Sequence, residues 1–239
     1  MKSNIKESLL FDLCDRYDSV KYADSKDILR VLMNDRSPFI RSLLARVAAI
    51  YTDDFMHSTL MTLADDRNNL VRVEVADSLS AYEDEAAYQK LMCMTQDPYY
   101  LVRGYAVYGV GLTGNTDERR EKSLALIREL LPKERLNFNR LSCYQALYFL
   151  GEKDELQHIL SLYSVQNYKN QCCIINFLME ILSNDNRDGI AAFSDDALRK
   201  CRNDSVREAL TALFERCKTQ IAFSISGSAH RQTEREKLL

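Results

Sequence analysis

Arg41, Arg72, Arg103 and Arg140 each follow an acidic side chain by six positions, at Asp35, Asp66, Asp97 and Glu134. The first three arginines stand 31 residues apart and the fourth follows after 37. A carboxylate and a guanidinium can meet in a charge-assisted fork, or they can serve a substrate. Which of the two applies depends on the company they keep. The three histidines, His57, His158 and His230, are isolated, with no second ligand at helical spacing where a metal site needs convergent donors. The seven cysteines are an odd number with no C-x-x-C pair, so neither a disulfide framework nor a zinc site is indicated. Cys93, Cys143 and Cys172 sit among apolar residues and read as small reduced hydrophobes, as expected in the cytoplasm. The glycines of "YGVGLTGN", Gly109, Gly111 and Gly114, read as the close of a helix and the start of a loop rather than a phosphate cradle. There is no P-loop, nucleophile elbow or dinucleotide fingerprint. No catalytic residue, metal or cofactor is assigned.

The elements that must hold these residues are helices. Seven Gly and three Pro in 239 residues favour helix over turn-rich sheet, and no strand-like alternation competes. No apolar run reaches the roughly 18 residues that cross a bilayer. After the ladder positions come "IRSLLARVAAIY", "VRVEVADSLSAY", "VRGYAVYGVGLT" and "NRLSCYQALYFLG". A fifth slot, "NQCCIINFLMEIL", has Gln171 in place of arginine, and a sixth, "VREALTALFERC", restores it at Arg207. Another amphipathic stretch precedes each, such as "DDFMHSTLMTLAD" or "DERREKSLALIRELL". Acidic residues crowd the helix starts at Asp53 and Asp54, Glu83 to Glu85, and Asp117 and Glu118, where they cap amides; Pro38 and Pro98 fit first-turn positions. The pattern is a stack of about six helical hairpins over 1–217. An N-terminal capping helix is expected over about 4–22, with Ile5, Leu9, Leu10, Leu13 and Tyr17 on one face. Residues 218–239 form a tail too polar to offset its ordering entropy.

The Asp-x5-Arg signature, the apolar residue before each arginine (Ile40, Val71, Val102, Val206) and the small residues after it resemble the HEAT repeat family, particularly short bacterial HEAT-like repeats. The match is clearest over about 26–113. The resemblance implies an all-α solenoid, a superhelix in which each hairpin buries its apolar face on its neighbours. It also implies that an acid in one loop pairs with an arginine of the adjacent repeat. The ladder Asp35, Arg41, Asp66, Arg72, Asp97, Arg103, Glu134, Arg140 and Arg207 is then structural, and Arg119 serves as a free surface charge for comparison. HEAT-repeat iron hydroxylases carry repeated His-Glu pairs, but Ser58, Ile159 and Arg231 follow the histidines here. HEAT-like enzymes that excise alkylated bases use a basic groove and tryptophans, and this chain has no Trp.

What remains is surface. In HEAT hairpins the exposed positions of the second helices line the concave face, which here implies Arg46, Glu74, Asp77, Tyr105, Tyr108, Gln145 and Asn176. Residues 53–97 carry a local charge of -7, and residues 98–140 carry +3, within a chain of net charge -3. The reading is a non-enzymatic protein-binding module whose partner has a basic surface, such as a toxin neutralised by an immunity or inhibitor protein. A nucleic-acid-binding relative of the DNA glycosylases is the alternative, disfavoured by the acidic stretch, with the segment around Arg119 and Arg128 as its best surface. A general assembly scaffold, or a protein handling a small ligand such as a bilin, are further alternatives.

Overall fold

The computed structural model describes residues 2–219, and those residues are helical without a strand. They form two compact units, 2–153 and from Asp154 onward, where the sequence suggested one domain over 1–217. The expected tail falls, beyond Thr219, outside the described residues.

The first unit holds α1 (Ser3–Asp15), α2 (Ser19–Leu32), α3 (Pro38–Ala48), α4 (Asp54–Leu63), α5 (Asn69–Leu79), α6 (Glu85–Met94), α7 (Tyr100–Thr113), α8 (Arg120–Leu130) and α9 (Asn137–Phe149). The odd-numbered helices pack side by side: α1 on α3, α3 on α5, α5 on α7, α7 on α9. Among the even-numbered helices, α4 packs on α3 and α5, and α6 on α5 and α7. The core between them is aliphatic, with Leu44, Met56, Leu60, Val75, Leu79, Leu91 and Val110 removed from solvent. The second unit holds α10 (Glu155–Leu162), α11 (Tyr168–Ile181), α12 (Arg187–Lys200) and α13 (Asp204–Lys218), with α11 and α12 both packed on α13.

The helix starts follow from their first residues. Asp53 accepts the Met56 amide at 2.9 Å, Asp84 that of Ala87 at 3.0 Å, and Asn203 that of Val206 at 3.1 Å, each satisfying an amide with no intrahelical partner. Asp117 and Glu118 do not act this way; α8 starts at Arg120 without a side-chain cap. Pro38 opens α3, but Pro98 precedes α7 by two residues.

The single N-terminal helix expected over 4–22 is two helices. Arg16 is extended, and Asp18 caps α2 by accepting the Lys21 amide at 2.9 Å. Tyr51 fastens the break, accepting the Asp18 amide at 2.9 Å and donating its hydroxyl to the Arg16 carbonyl at 3.2 Å. Leu10 and Leu13 are buried as expected, while Ile5, near the start of α1, and Tyr17, beyond its end, are exposed.

The glycine-rich stretch closes a helix as expected, with Gly114 as the C-cap of α7. Gly109 and Gly111 lie inside α7. A Cβ on Gly111 would stand 2.5 Å from the Ala146 Cα, so α7 and α9 approach to a distance only glycine allows. Gly111→Ala forces backbone apart rather than bending a side chain, and the expected cost is about 1–3 kcal/mol. Urea unfolding monitored by circular dichroism checks this; an unchanged midpoint would show that α9 can shift freely.

Candidate functional site

Three of the sequence-predicted acid–arginine steps form one repeated geometry. Arg41 Nε and Nη2 bond Asp66 at 2.6 and 2.8 Å. Arg72 bonds Asp97 at 2.7 and 3.0 Å, and Arg103 bonds Glu134 at 2.9 and 3.5 Å. Each arginine spends its third nitrogen, Nη1, on the backbone carbonyl six residues back: Asp35 at 2.6 Å, Asp66 at 2.8 Å, Asp97 at 3.0 Å. Each aspartate meanwhile accepts the amide two residues on, from Ser37, Asn68 and Tyr99, at 2.8–2.9 Å. The six-residue spacing therefore has a direct cause. It brings an arginine in the first turns of the helix back over its own loop while its fork reaches the next loop.

The series begins and ends differently from the sequence reading. Lys6 of α1 bonds Asp35 and supplies the first cation. Arg140 does not continue the ladder; it bonds Tyr144 of its own helix at 3.2 Å. Arg207, in the second unit, bonds the carbonyl of Cys201 six residues back, and Gln171 donates to the Tyr163 carbonyl at 3.2 Å. These two keep the loop-facing half of the motif.

Burial alone would raise the Asp66, Asp97 and Glu134 carboxyls, but their arginine partners outweigh it, and all three lie below their ordinary values. Asp35 is lowered likewise, through Lys6 and the Ser37 amide.

The predicted partner-binding residues divide. Arg46 and Glu74 project from α3 and α5 toward one another and form a bidentate pair at 2.9 and 3.1 Å. Asp77 lies close enough to Arg46 to act on its charge. Glu74 and Asp77 are half-buried. Tyr105 and Tyr108 of α7 are half-buried too, resting on Phe138 and Phe149 of α9 with ring centroids 5.8 and 5.5 Å away. Gln145 is buried, at 6% exposure, because its side of α9 turns into the packing, so it leaves the predicted surface. Asn176 is exposed, but on α11 of the second unit.

Arg119 is not a free charge. It bonds Glu85 at 2.9 Å and the Glu83 and Thr113 carbonyls at 3.1 Å, and it covers the Tyr88 ring. Arg128 pairs with Glu152 at 2.9 Å. The basic segment is thus largely spent on internal contacts. Cys93 is exposed rather than apolar-packed, and burial pushes the Cys143 thiol up to about 12. Among the described residues no group of His, Cys, Asp and Glu is placed to hold a metal ion, and no helix is long and apolar enough to cross a membrane.

A second repeated arrangement escaped the sequence reading. Lys26 bonds Asp53 at 2.6 Å, and 31 residues later His57 Nε2 lies 3.2 Å from Asp84. Tyr51 and Tyr82, also 31 apart, both reach back to the preceding layer, Tyr82 through the Ala48 carbonyl at 2.8 Å. The signal was there in part, since Tyr51 and Asp53 recur 31 residues on as Tyr82 and Asp84, while the cation changes from Lys26 to His57. A scan against protein-family models matches none, and neither does a comparison with curated proteins.

Two outcomes follow from the ladder. Arg72→Ala leaves Asp97 in a largely buried site without its fork, so it should cost about 1–3 kcal/mol, against nearly nothing for the exposed Arg67→Ala. Equal unfolding midpoints in urea would remove the arginine from its role as a tie. Because the ladder carboxyls are lowered on folding, their contribution is complete above the ordinary carboxylate range and disappears as pH falls through the lowered values. The unfolding midpoint should stay level down to about pH 5 and drop below about pH 4, less steeply in Asp66→Asn. A decline between neutrality and pH 5 would assign the acid sensitivity to other groups.

Proposed function

We propose that the chain is a solenoid of about six HEAT-like hairpins that works without catalysis, binding a partner protein through the inner face of its second helices. The observation that carries this reading is the run of half-buried Glu74, Asp77, Tyr105 and Tyr108 on α5 and α7, two helices packed directly together. Side chains in that state have contact area to give and little rotamer freedom to lose, and tyrosine is favoured at such surfaces. The pair formed by Arg46 and Glu74 presets one corner of the face. A cytoplasmic inhibitor or immunity protein that offers these groups to a basic toxin is the narrower form of the proposal.

The test is affinity capture from cells of the source organism, comparing the native chain with an Asp77→Lys, Tyr108→Ser variant. Asp77 is the better probe, because reversing Glu74 would also break its bidentate pair with Arg46. A specific partner should fall by about tenfold or more in the variant, with its helical spectrum retained, and capture should weaken as salt rises. The same partner at unchanged yield would move the interface away from this face.

A further inference from the structure

Phe39, Leu70, Tyr100 and Leu136 are among the exposed large apolar side chains, at 49%, 57%, 37% and 45%. They are not scattered. Phe39 and Leu70 are the second residues of α3 and α5, Tyr100 is the first of α7, and Leu136 is the N-cap of α9. These four helices pack consecutively, so the side chains stand in a row along one edge of the unit. Ring contacts extend the row: Phe11 of α1 lies 6.2 Å from Phe39, and Phe138 lies 6.5 Å from Tyr100.

A line of cations accompanies it. Arg36, Arg67 and Arg135 each directly follow a ladder acid, and all are exposed. None makes an ion pair or hydrogen bond among the described residues, unlike Arg46, Arg119 and Arg128. The acids on this edge are engaged: Asp66, Asp97 and Glu134 by the ladder arginines, Asp35 by Lys6, and Asp65 by Lys90 at 3.3 Å. A groove lined by Arg67, Asn69, Pro98 and Tyr99 opens between the starts of α5 and α7. The edge thus presents unspent guanidinium groups next to unsatisfied apolar surface, with helix N-termini behind both.

The spacing narrows the complement. Packed helices lie about 8–10 Å apart. A polyproline II segment advances about 3.1 Å per residue with three residues per turn, so every third side chain falls on one side at about 9 Å intervals. Such a segment would set one apolar side chain at each helix start and leave a carboxylate beside each arginine. We propose that this edge binds an acidic, extended segment of a partner protein carrying an apolar side chain at every third position. The proposal rests on the reading of the chain as a protein-binding module, but it gives the partner an acidic segment where the sequence suggested a basic surface. Phosphate-rich partners fit less well, because they leave the apolar row uncovered.

The probe is a fluorescein-labelled peptide of four Leu-Glu-Pro repeats, titrated with the full chain and read by fluorescence anisotropy. Saturable binding is expected, weakened about tenfold or more by Leu70→Asp and by Arg67→Glu, both exposed positions whose change leaves the helical spectrum intact. A Leu-Lys-Pro peptide and a Ser-Glu-Pro peptide should bind at least about tenfold more weakly. Absence of saturable binding, or binding indifferent to both substitutions, overturns the proposal. So does tighter binding of single-stranded DNA or phosphatidylserine vesicles that is lost in the same variants. Failure here with Asp77-dependent partner capture intact would leave the module reading standing and remove only the acidic segment.

Discussion

The fork from an arginine to the carboxylate of the next loop holds the first unit in register. Its strength comes from geometry more than from charge. The guanidinium satisfies a carboxylate with two parallel bonds and its own loop carbonyl with a third. The aspartate in turn closes its loop through the amide two residues on. Loop polar groups, next loop and helix start are therefore satisfied by one side chain. Removing it exposes several buried polar atoms at once, which is the costly direction for a hydrogen bond. Exposure of the arginine side chain rises along the series, from 7% at Arg41 to 15% at Arg72 and 24% at Arg103, so the tie loosens toward α9.

Where that tie loosens, close packing takes over. Glu134 replaces aspartate, the spacing lengthens from 31 to 37 residues, and Arg140 turns to its own helix. At the same step Gly111 lets α7 meet Ala146 of α9 backbone to backbone, and Phe138 fills the space over Gly104. Contact between helix backbones fixes their relative position by shape, since interiors tolerate little change in volume. Register is thus set by hydrogen bonding through α1 to α7, and between α7 and α9 by close fit together with the Arg103–Glu134 fork.

The same economy shapes the surface. The ladder consumes the repeated acid and arginine, and Lys26 engages Asp53. The surfaces proposed for recognition use the residues beside them: Arg36, Arg67 and Arg135, which follow three of the four ladder acids, the apolar residues at the helix starts, and the tyrosines of α7. A repeat that must bond its neighbours with fixed positions can vary only the adjacent ones, and those point outward.

The sequence by itself determined the all-helical class and nearly every helix pair, because the apolar period and the caps are local properties of a few neighbouring residues. It also determined which acids and arginines recur. It did not determine that the helix over 4–22 breaks, since the break depends on Tyr51 arriving from 33 residues away to satisfy Asp18. Nor did it separate Gln145 from Tyr105. Both sit at plausible surface spacing, and only the neighbours decide which is covered. Arg119 makes the same point for charge: nothing local marks it as engaged, yet Glu85 and the Glu83 carbonyl meet it from 34 and 36 residues back. Helical periodicity states which side a residue faces. What stands on that side, and so whether a charge is spent or available, is settled when the helices pack.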